Sequence, residues 1–384
     1  MKKLVKGRVA VELFCGAGGL GLGLHQAGFS TLLANDSDEN CCASYKLNFP
    51  HTKVICGDIH DIDFCEVAKG LGVDAIDLLA GGPPCQGFST VGSKNEQDPR
   101  NSLFYEYLRV VSQLRPNYLL FENVSGFKRL YEGRAFATLV SELQELGYEY
   151  VYAVLNASDF GLPQHRLRTI VIAWKSGLSP VAMPAPTHGS EAGLFGMLPK
   201  LCVIDAISDL PPLSAGDSCQ EYMTPPQNTY QIEMRGCETI LTEHSSANYG
   251  EKMLEILSLI PPGGSVDDLP ERLRPKNYFK NTYARLRPNE PSPTITRNFG
   301  TPSSSRCIHP FQNRALSTRE GARLQSFPDY YKFVGGKGSK NLQIGNAVPP
   351  ILGRVVGESI MASLSSDICT PPNHLQGKND LVVS

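Results

Sequence analysis

Arg8-Val9-Ala10-Val11-Glu12-Leu13-Phe14-Cys15-Gly16-Ala17-Gly18-Gly19-Leu20-Gly21 passes from an apolar run through a glycine turn into a helical pattern. Residues 8–15 predict a strand, and residues 19–27 a helix closed by Gly28. Glycines at such a junction permit a sharp turn and let a ligand approach the backbone. Gly16, Gly18 and Gly21 fit the dinucleotide spacing, and Asp36 lies twenty residues past Gly16, at the end of the next strand. An acid there can hold the ribose hydroxyls of a dinucleotide or of S-adenosylmethionine, so the turn alone does not choose. Asp58, in Gly57-Asp58-Ile59, closes a later strand. An acceptor there suits an adenine amino group, although a turn-forming Asp after Gly is the blander reading.

Outward from this stretch the pattern repeats. Strands are predicted over 29–35, 52–56, 76–80, 118–121, 150–155 and 169–174, and helices over 39–48, 102–114 and 134–146. That alternation predicts a parallel sheet covered by helices. From about residue 180 the texture changes: Pro184, Pro186, Pro211, Pro212, Pro225, Pro226, Pro261 and Pro262 punctuate a polar segment, read as a second, irregular domain with short strands. A helix returns over 317–325, where Ser317 and Glu320 make a capping box. A glycine turn over 335–338 and the segment 343–350 then lead into an apolar helix over 351–363.

The 384 residues can hold one large domain or two ordinary ones. No apolar run spans a bilayer, and Met1-Lys2-Lys3 is followed by no apolar signal core, so a cytoplasmic protein is expected. Eleven cysteines are scattered without a C-x-x-C pair or zinc-like His/Cys spacing, so no metal is expected. Residues 31–80 carry nine acidic and three basic side chains, whereas residues 271–340 carry fourteen Lys/Arg against four Asp/Glu. The basic stretch suits a polyanion footprint or, equally, a solvated surface.

One cysteine differs from the rest. In Gly81-Gly82-Pro83-Pro84-Cys85-Gln86-Gly87-Phe88-Ser89, two prolines fix the backbone just before a thiol at the exit of a strand. Open α/β sheets place their chemistry at such exits. With Glu122-Asn123 at the end of the next strand, Cys85 reads as a nucleophile. Cys15 is its nearest rival, but glycine turns need small residues and a thiol is small.

Together these segments resemble the DNA (cytosine-5) methyltransferases of bacterial restriction-modification systems. Phe14-x-Gly16-x-Gly18-Gly19 looks like that family's cofactor turn, Gly82-Pro83-Pro84-Cys85-Gln86 its catalytic turn, and Glu122-Asn123-Val124 the element after strand five. Gln164-His165-Arg166-Leu167-Arg168 looks like the Gln-x-Arg-x-Arg element. Residues 314–325 are similar to the element that holds the recognition region, and Gln343-Ile344-Gly345-Asn346-Ala347-Val348-Pro349-Pro350 to the last motif.

The resemblance implies a Rossmann-like S-adenosylmethionine-dependent methyltransferase domain with a smaller target-recognition domain. The implied division is 1–180 catalytic, 181–325 recognition, 326–365 a return to the catalytic domain, and 366–384 a disordered tail. Cys85 would add to C6 of a cytosine rotated out of double-stranded DNA. Glu122 would supply the proton or hydrogen bond at N3, and Arg166 and Arg168 a fork to the base O2 and nearby phosphates. Implied cofactor contacts are Phe14, Gly16, Gly18, Asp36, Asp58, Pro83, Leu103, Asn346 and Val348. Residues 86–101 would form a mobile loop bringing Ser89 and Arg100 to DNA, with Thr294 and Arg297 as further DNA contacts. A nucleoid-associated monomer paired in function with a restriction endonuclease is implied.

Other readings fit less well. The tRNA-methylating branch of the family carries a Cys-Phe-Thr tripeptide that is absent here. A nicotinamide dehydrogenase matches only the glycine spacing and leaves Pro83-Pro84-Cys85-Gln86 unexplained. An amino-group methyltransferase would want an aromatic residue where Cys85 stands. A silent DNA-binding relative would have no need of Cys85, Glu122 and Arg166.

Overall fold

A computed structural model of the chain describes residues 8–73, 75–84, 102–189, 193, 196–278, 282–303 and 307–369. Cys85, Ser89, Arg100 and the loop over 86–101 lie outside the described residues, as does the tail beyond 369. The first half alternates β1 (Arg8–Leu13), α1 (Gly19–Gln26), β2 (Phe29–Asp36), α2 (Glu39–Asn48), β3 (Lys53–Cys56), α3 (Phe64–Gly70), β4 (Leu78–Gly81) and α4 (Ser102–Leu114). It continues through β5 (Tyr118–Val124), α5 (Arg134–Glu145), β6 (Tyr148–Asn156) and β7 (Leu167–Lys175). Among the described residues these strands form one seven-stranded sheet in the order β3-β2-β1-β4-β5-β7-β6.

Strands β1 to β5 are parallel, but β7 runs antiparallel to both β5 and β6, so the all-parallel expectation is corrected. The connection over 157–166 carries only a 3-10 turn, too short for the crossover a parallel neighbour requires. Pairing with β7 also lengthens β5. Glu122 opposes Ile170, Asn123 opposes Thr169 and Val124 opposes Arg168, so Glu122-Asn123-Val124 ends the strand rather than following it.

Alternate strand residues feed two apolar layers. Ala10, Leu78, Ala80, Leu120 and Ile172 share one cluster with Leu20 and Leu24 of α1. Val11, Leu13, Leu79, Leu119 and Phe121 share the other with Phe104, Tyr107 and Val111 of α4 and Leu139 of α5. Period-two burial on both faces explains why these strands read as continuous apolar runs.

The second half is built from short helices more than from the short strands expected: α6 (Val203–Ile207), α7 (Thr229–Arg235), α8 (Glu251–Leu259) and α9 (Thr318–Leu324), beside a two-residue strand pair, His188–Gly189 with Leu198–Pro199. The expected turn over 335–338 already opens α10 (Lys337–Asn346), and α11 (Pro350–Cys369) runs past both 363 and 365. Pro350 starts α11 at the position where a missing N–H costs nothing. α11 lies directly on α1. A Cβ on Gly23 would stand 2.3 Å from the Pro350 carbonyl oxygen and 2.5 Å from the Arg354 nitrogen, so only glycine permits this contact. No described helix is long and apolar enough to cross a membrane.

The basic stretch is only partly a surface. Arg285, Arg314, Arg319 and Arg323 are buried, so among the described residues four of its cations belong to the interior. Arg314 grips Glu320 through two bonds of 2.7 and 2.6 Å, and Glu320 completes the expected capping box with Ser317. Arg323 bonds Asp209 and Asp329, and Arg319 lies 3.6 Å from Asp329. These ion pairs tie all of α9 into the core.

Burial alone would raise the Glu320 pKa, but Arg314's charge and hydrogen bonds hold it well below the ordinary carboxylate range. Burial drives His309 down to about 4. Both shifts stabilise the fold at neutral pH and lose that effect on acidification. His309 acts as pH falls below about 6.5, and Glu320 below about 4.3. Glu320→Gln leaves Arg314 buried without its counter-charge and is expected to cost about 3–5 kcal/mol in urea unfolding. It should also flatten the acid limb of stability against pH below about 4.3.

Candidate active site

The site lies where the sheet changes direction of growth. β1 is flanked by β2 and β4, and the chain winds outward on both sides from there. Leu13 pairs with Asn35 on one side and Gly81 on the other, and Gly81 pairs with Phe121. The carboxyl ends of β2, β1 and β4 therefore finish nearly level, with β5 continuing past them to Val124, at the switch point where α/β sheets bind ligands. A cleft of about 520 Å³ opens there.

One end of the cleft carries the glycine turn. Phe14 adopts φ 54° and Gly16 φ 52°, which turns the chain off β1 into α1. The Gly16 N–H donates to Asp36 Oδ2 at 2.7 Å and the Asp38 N–H to Asp36 Oδ1 at 2.9 Å. Burial raises the Asp36 pKa, and these two N–H groups pull it back. Each oxygen keeps a lone pair for a further donor, such as a sugar hydroxyl. Asp58 is exposed and accepts from the backbone N–H and ring of His60, and that N–H holds its carboxyl below the usual range.

Of the nine expected cofactor residues, Phe14, Gly16, Asp36, Asp58, Pro83, Leu103, Asn346 and Val348 line the cleft. Gly18 does not. It has φ 89°, and a Cβ there would meet the Tyr331 hydroxyl oxygen at 2.8 Å, so its glycine serves packing beneath the turn. Acidic acceptors at one end and apolar walls from Phe14, Pro83, Leu103 and Val348 suit a nucleoside.

The other end carries the catalytic candidates, and Glu122, Arg166 and Arg168 line the same cleft as Pro83 and Pro84. Glu122 is 8% exposed, and Arg168 Nε lies 2.8 Å from its Oε1. Burial raises the Glu122 pKa while Arg168 and Arg166 restrain the rise. Gly82 is what makes room: a Cβ there would stand 2.8 Å from Glu122 Oε2. Asn123 supports the turn, its Nδ2 donating to the Pro83 carbonyl at 3.1 Å.

Arg166 lines the cleft but is held by the protein's own backbone. It precedes β7 and is buried, and its Nη atoms donate to the carbonyls of Ile295, Gly345 and Ala347 at 3.1, 3.0 and 2.8 Å. The fork expected to face a base is turned onto the protein's own backbone. Among the described residues its buried Nε has no partner. Thr294 and Arg297 are exposed and do not line the cleft; the Thr294 hydroxyl donates to the His165 carbonyl at 2.8 Å.

Two lining residues carry weight that the sequence reading missed. Glu12 is 1% exposed and accepts from Tyr45 Oη at 2.7 Å and the Gly21 N–H at 3.2 Å. Burial pushes it up to about 8. A lone carboxylate inside an apolar strand that leads into a glycine turn was the available signal. Gln343 accepts from Ser44 Oγ at 2.6 Å and donates to the Val334 carbonyl at 2.8 Å, fixing α10 against α2.

Fold and cleft together define a Rossmann-like methyltransferase domain. Residues 9–362 match the family of C-5 cytosine-specific DNA methylases. The chain belongs to that family and is a DNA (cytosine-5)-methyltransferase. It is 35% identical to Type II methyltransferase M.AgeI of Thalassovita gelatinovora, over 92% of this chain and 99% of that protein. To Type II methyltransferase M1.HphI of Haemophilus parahaemolyticus it is 34% identical, over 91% of this chain and 86% of that protein. A crystal structure attributed to a DNA modification methyltransferase encoded within an E. coli prophage superposes with a TM-score of 0.75 at 25% identity, covering 93% and 99% of the two chains.

Gly82→Ala should displace the Glu122 carboxylate without disturbing the core. The expected result is a loss of methylation rate on the order of 10²-fold with an unchanged unfolding midpoint. An unaltered rate would show that the close approach of Gly82 and Glu122 is not needed.

Proposed function

We propose that the protein transfers a methyl group from S-adenosylmethionine to C5 of a cytosine within a specific double-stranded DNA sequence. It acts on a base rotated out of the duplex, through a covalent Cys85–C6 adduct, and protects DNA from a cognate restriction endonuclease. The observation that carries this reading is one cleft holding both residue sets, with the buried Glu122 carboxyl beside the Pro83-Pro84 turn that leads directly to Cys85.

Cytosine C5 is a weak nucleophile until the ring is activated. The Cys85 thiolate adds to C6, and negative charge develops on the ring. Glu122, kept protonatable by burial, answers that charge with a proton or strong hydrogen bond at N3. Arg168 holds the Glu122 carboxyl in place at 2.8 Å. Asn123 fixes the turn ahead of the thiol through Pro83. The donor, when bound, would supply an electrophilic sulfonium methyl to the activated C5 and depart as the neutral thioether. Phe14, Gly16, Asp36, Asp58, Pro83, Leu103, Asn346 and Val348 would hold it. Loss of the C5 proton and elimination of the thiolate release the product.

Residues 181–325 serve as the recognition region in this reading, and 326–365 complete the catalytic domain. Exposed cations such as Arg274, Lys276, Arg297 and Lys332 are the candidates for phosphate contacts, with Thr294 beside them. Ser89 and Arg100 would join them from the loop over 86–101. The names of the Type II relatives support pairing with a restriction endonuclease.

Cys85→Ser is expected to abolish methyl transfer and leave S-adenosylmethionine binding within about 2-fold by calorimetry, since a neighbouring hydroxyl conserves shape. DNA carrying 5-fluorocytosine should form a denaturation-resistant adduct with the native enzyme, because fluorine cannot leave as a proton does. Active enzyme without adduct would reject the addition mechanism. Because Glu122 must carry a proton, the rate should fall as pH rises through its raised pKa, and Glu122→Gln should remove that alkaline limb while slowing turnover.

A further inference from the structure

We propose that Cys42 and Cys56 form a redox-sensitive pair at the rim of the cofactor cleft, closing to an intramolecular disulfide when the protein meets a hydroperoxide. The two residues converge on one peptide group. Cys42, near the start of α2, donates its thiol to the Asp36 carbonyl at 3.3 Å, and the Gly57 N–H donates to the same oxygen at 3.0 Å. Asp36 is the ladder partner of Cys56 across β2 and β3. Burial first, and the adjacent Cys56 thiol next, push the Cys42 thiol up to about 12.

The pair is asymmetric in the way a two-cysteine switch requires. Cys56 is exposed and can meet an oxidant, whereas Cys42 is 1% exposed and waits beside it. The neighbouring thiols are directed away from Cys56: Cys15 Sγ donates to the Gly16 carbonyl at 3.6 Å, and the Cys41 thiol is directed to Asp38.

The Cys56 sulfur attacks hydrogen peroxide, the O–O bond breaks, and a sulfenic acid and one water form. The Cys42 sulfur then attacks the sulfenic sulfur. The S–O bond breaks, and hydroxide departs with the Cys42 proton as a second water. Two thiols are oxidised by two electrons in all, and one peroxide is reduced to two waters.

The crosslink withdraws the thiol donor from the Asp36 carbonyl and ties α2 to the end of β3. Asp36 is the residue whose carboxylate holds the Gly16 N–H of the glycine turn, so the bond stiffens the acidic wall of the cleft. The consequence for binding rests on the reading of that cleft as the S-adenosylmethionine site.

The test treats the full-length enzyme with hydrogen peroxide, blocks free thiols and maps peptides without reduction. A Cys42–Cys56 linked peptide is expected, absent from Cys56→Ser. Calorimetry with S-adenosylmethionine should show affinity falling by about 5-fold or more on oxidation, restored by dithiothreitol, with Cys56→Ser unaffected. No linked peptide, or Cys42 joined to Cys15 or Cys41, would overturn the pair. A linked peptide with unchanged affinity would overturn its control of the cleft. Failure of the reduced enzyme to bind S-adenosylmethionine at all would instead reject the cofactor reading, and the peptide map would still decide the pair.

Discussion

A guanidinium buried among backbone carbonyls holds this structure together. Arg166 reaches Ile295, Gly345 and Ala347, residues 129 to 181 positions away in the chain. Gln164, two residues earlier, donates to the Leu324 carbonyl and accepts the Ile295 N–H, each at 2.9 Å. Gln325 extends the knot to the Ile344 carbonyl at 2.6 Å. A cation without water around it must be met by several acceptors at once. Four distant segments therefore have to arrive together. That requirement draws the last motif back onto the first sheet, sets Val348 against Gly19 and brings Asn346 to the same cleft.

The same economy of buried charge shapes the catalytic end. Glu122 loses hydration on entering the cleft and, among the described residues, is left with one ion-pair partner, Arg168, at 2.8 Å. Burial and the arginines act in opposite directions, and burial wins, so the carboxyl holds its proton more readily than a surface glutamate. Space for it depends on the missing side chain of Gly82. A proton donor, a proline-fixed turn and a nucleoside-shaped cleft thus share one edge of one sheet. Around α9, charge is spent differently: Arg314, Arg319 and Arg323 face Glu320, Asp209 and Asp329 in the interior and act as architecture.

Most of the sheet was legible because its strands are short apolar runs closed by glycine, proline or a capping acid. Helices over 39–48 and 102–114 and the Ser317–Glu320 capping box were readable for the same local reason. The direction of β7 was not, since nothing within residues 167–175 encodes which neighbour it meets. The short helices between 200 and 260 were hidden by prolines and by weak periodicity over five to nine residues.

Local chemistry in the chain was enough to determine the alternating fold, the family, and the residues gathered at the cleft: Phe14, Asp36, Pro83 and Glu122 are each marked by type and by position after a strand. Tertiary structure alone decided what each cation does. Arg166 and Arg168 look alike two residues apart, yet one is spent on backbone carbonyls and the other on Glu122. Arg314 and Arg297 likewise look alike in a basic stretch, yet one is buried and the other exposed. A charge's role is fixed by its hydration and its partners, and both depend on segments far away in the chain.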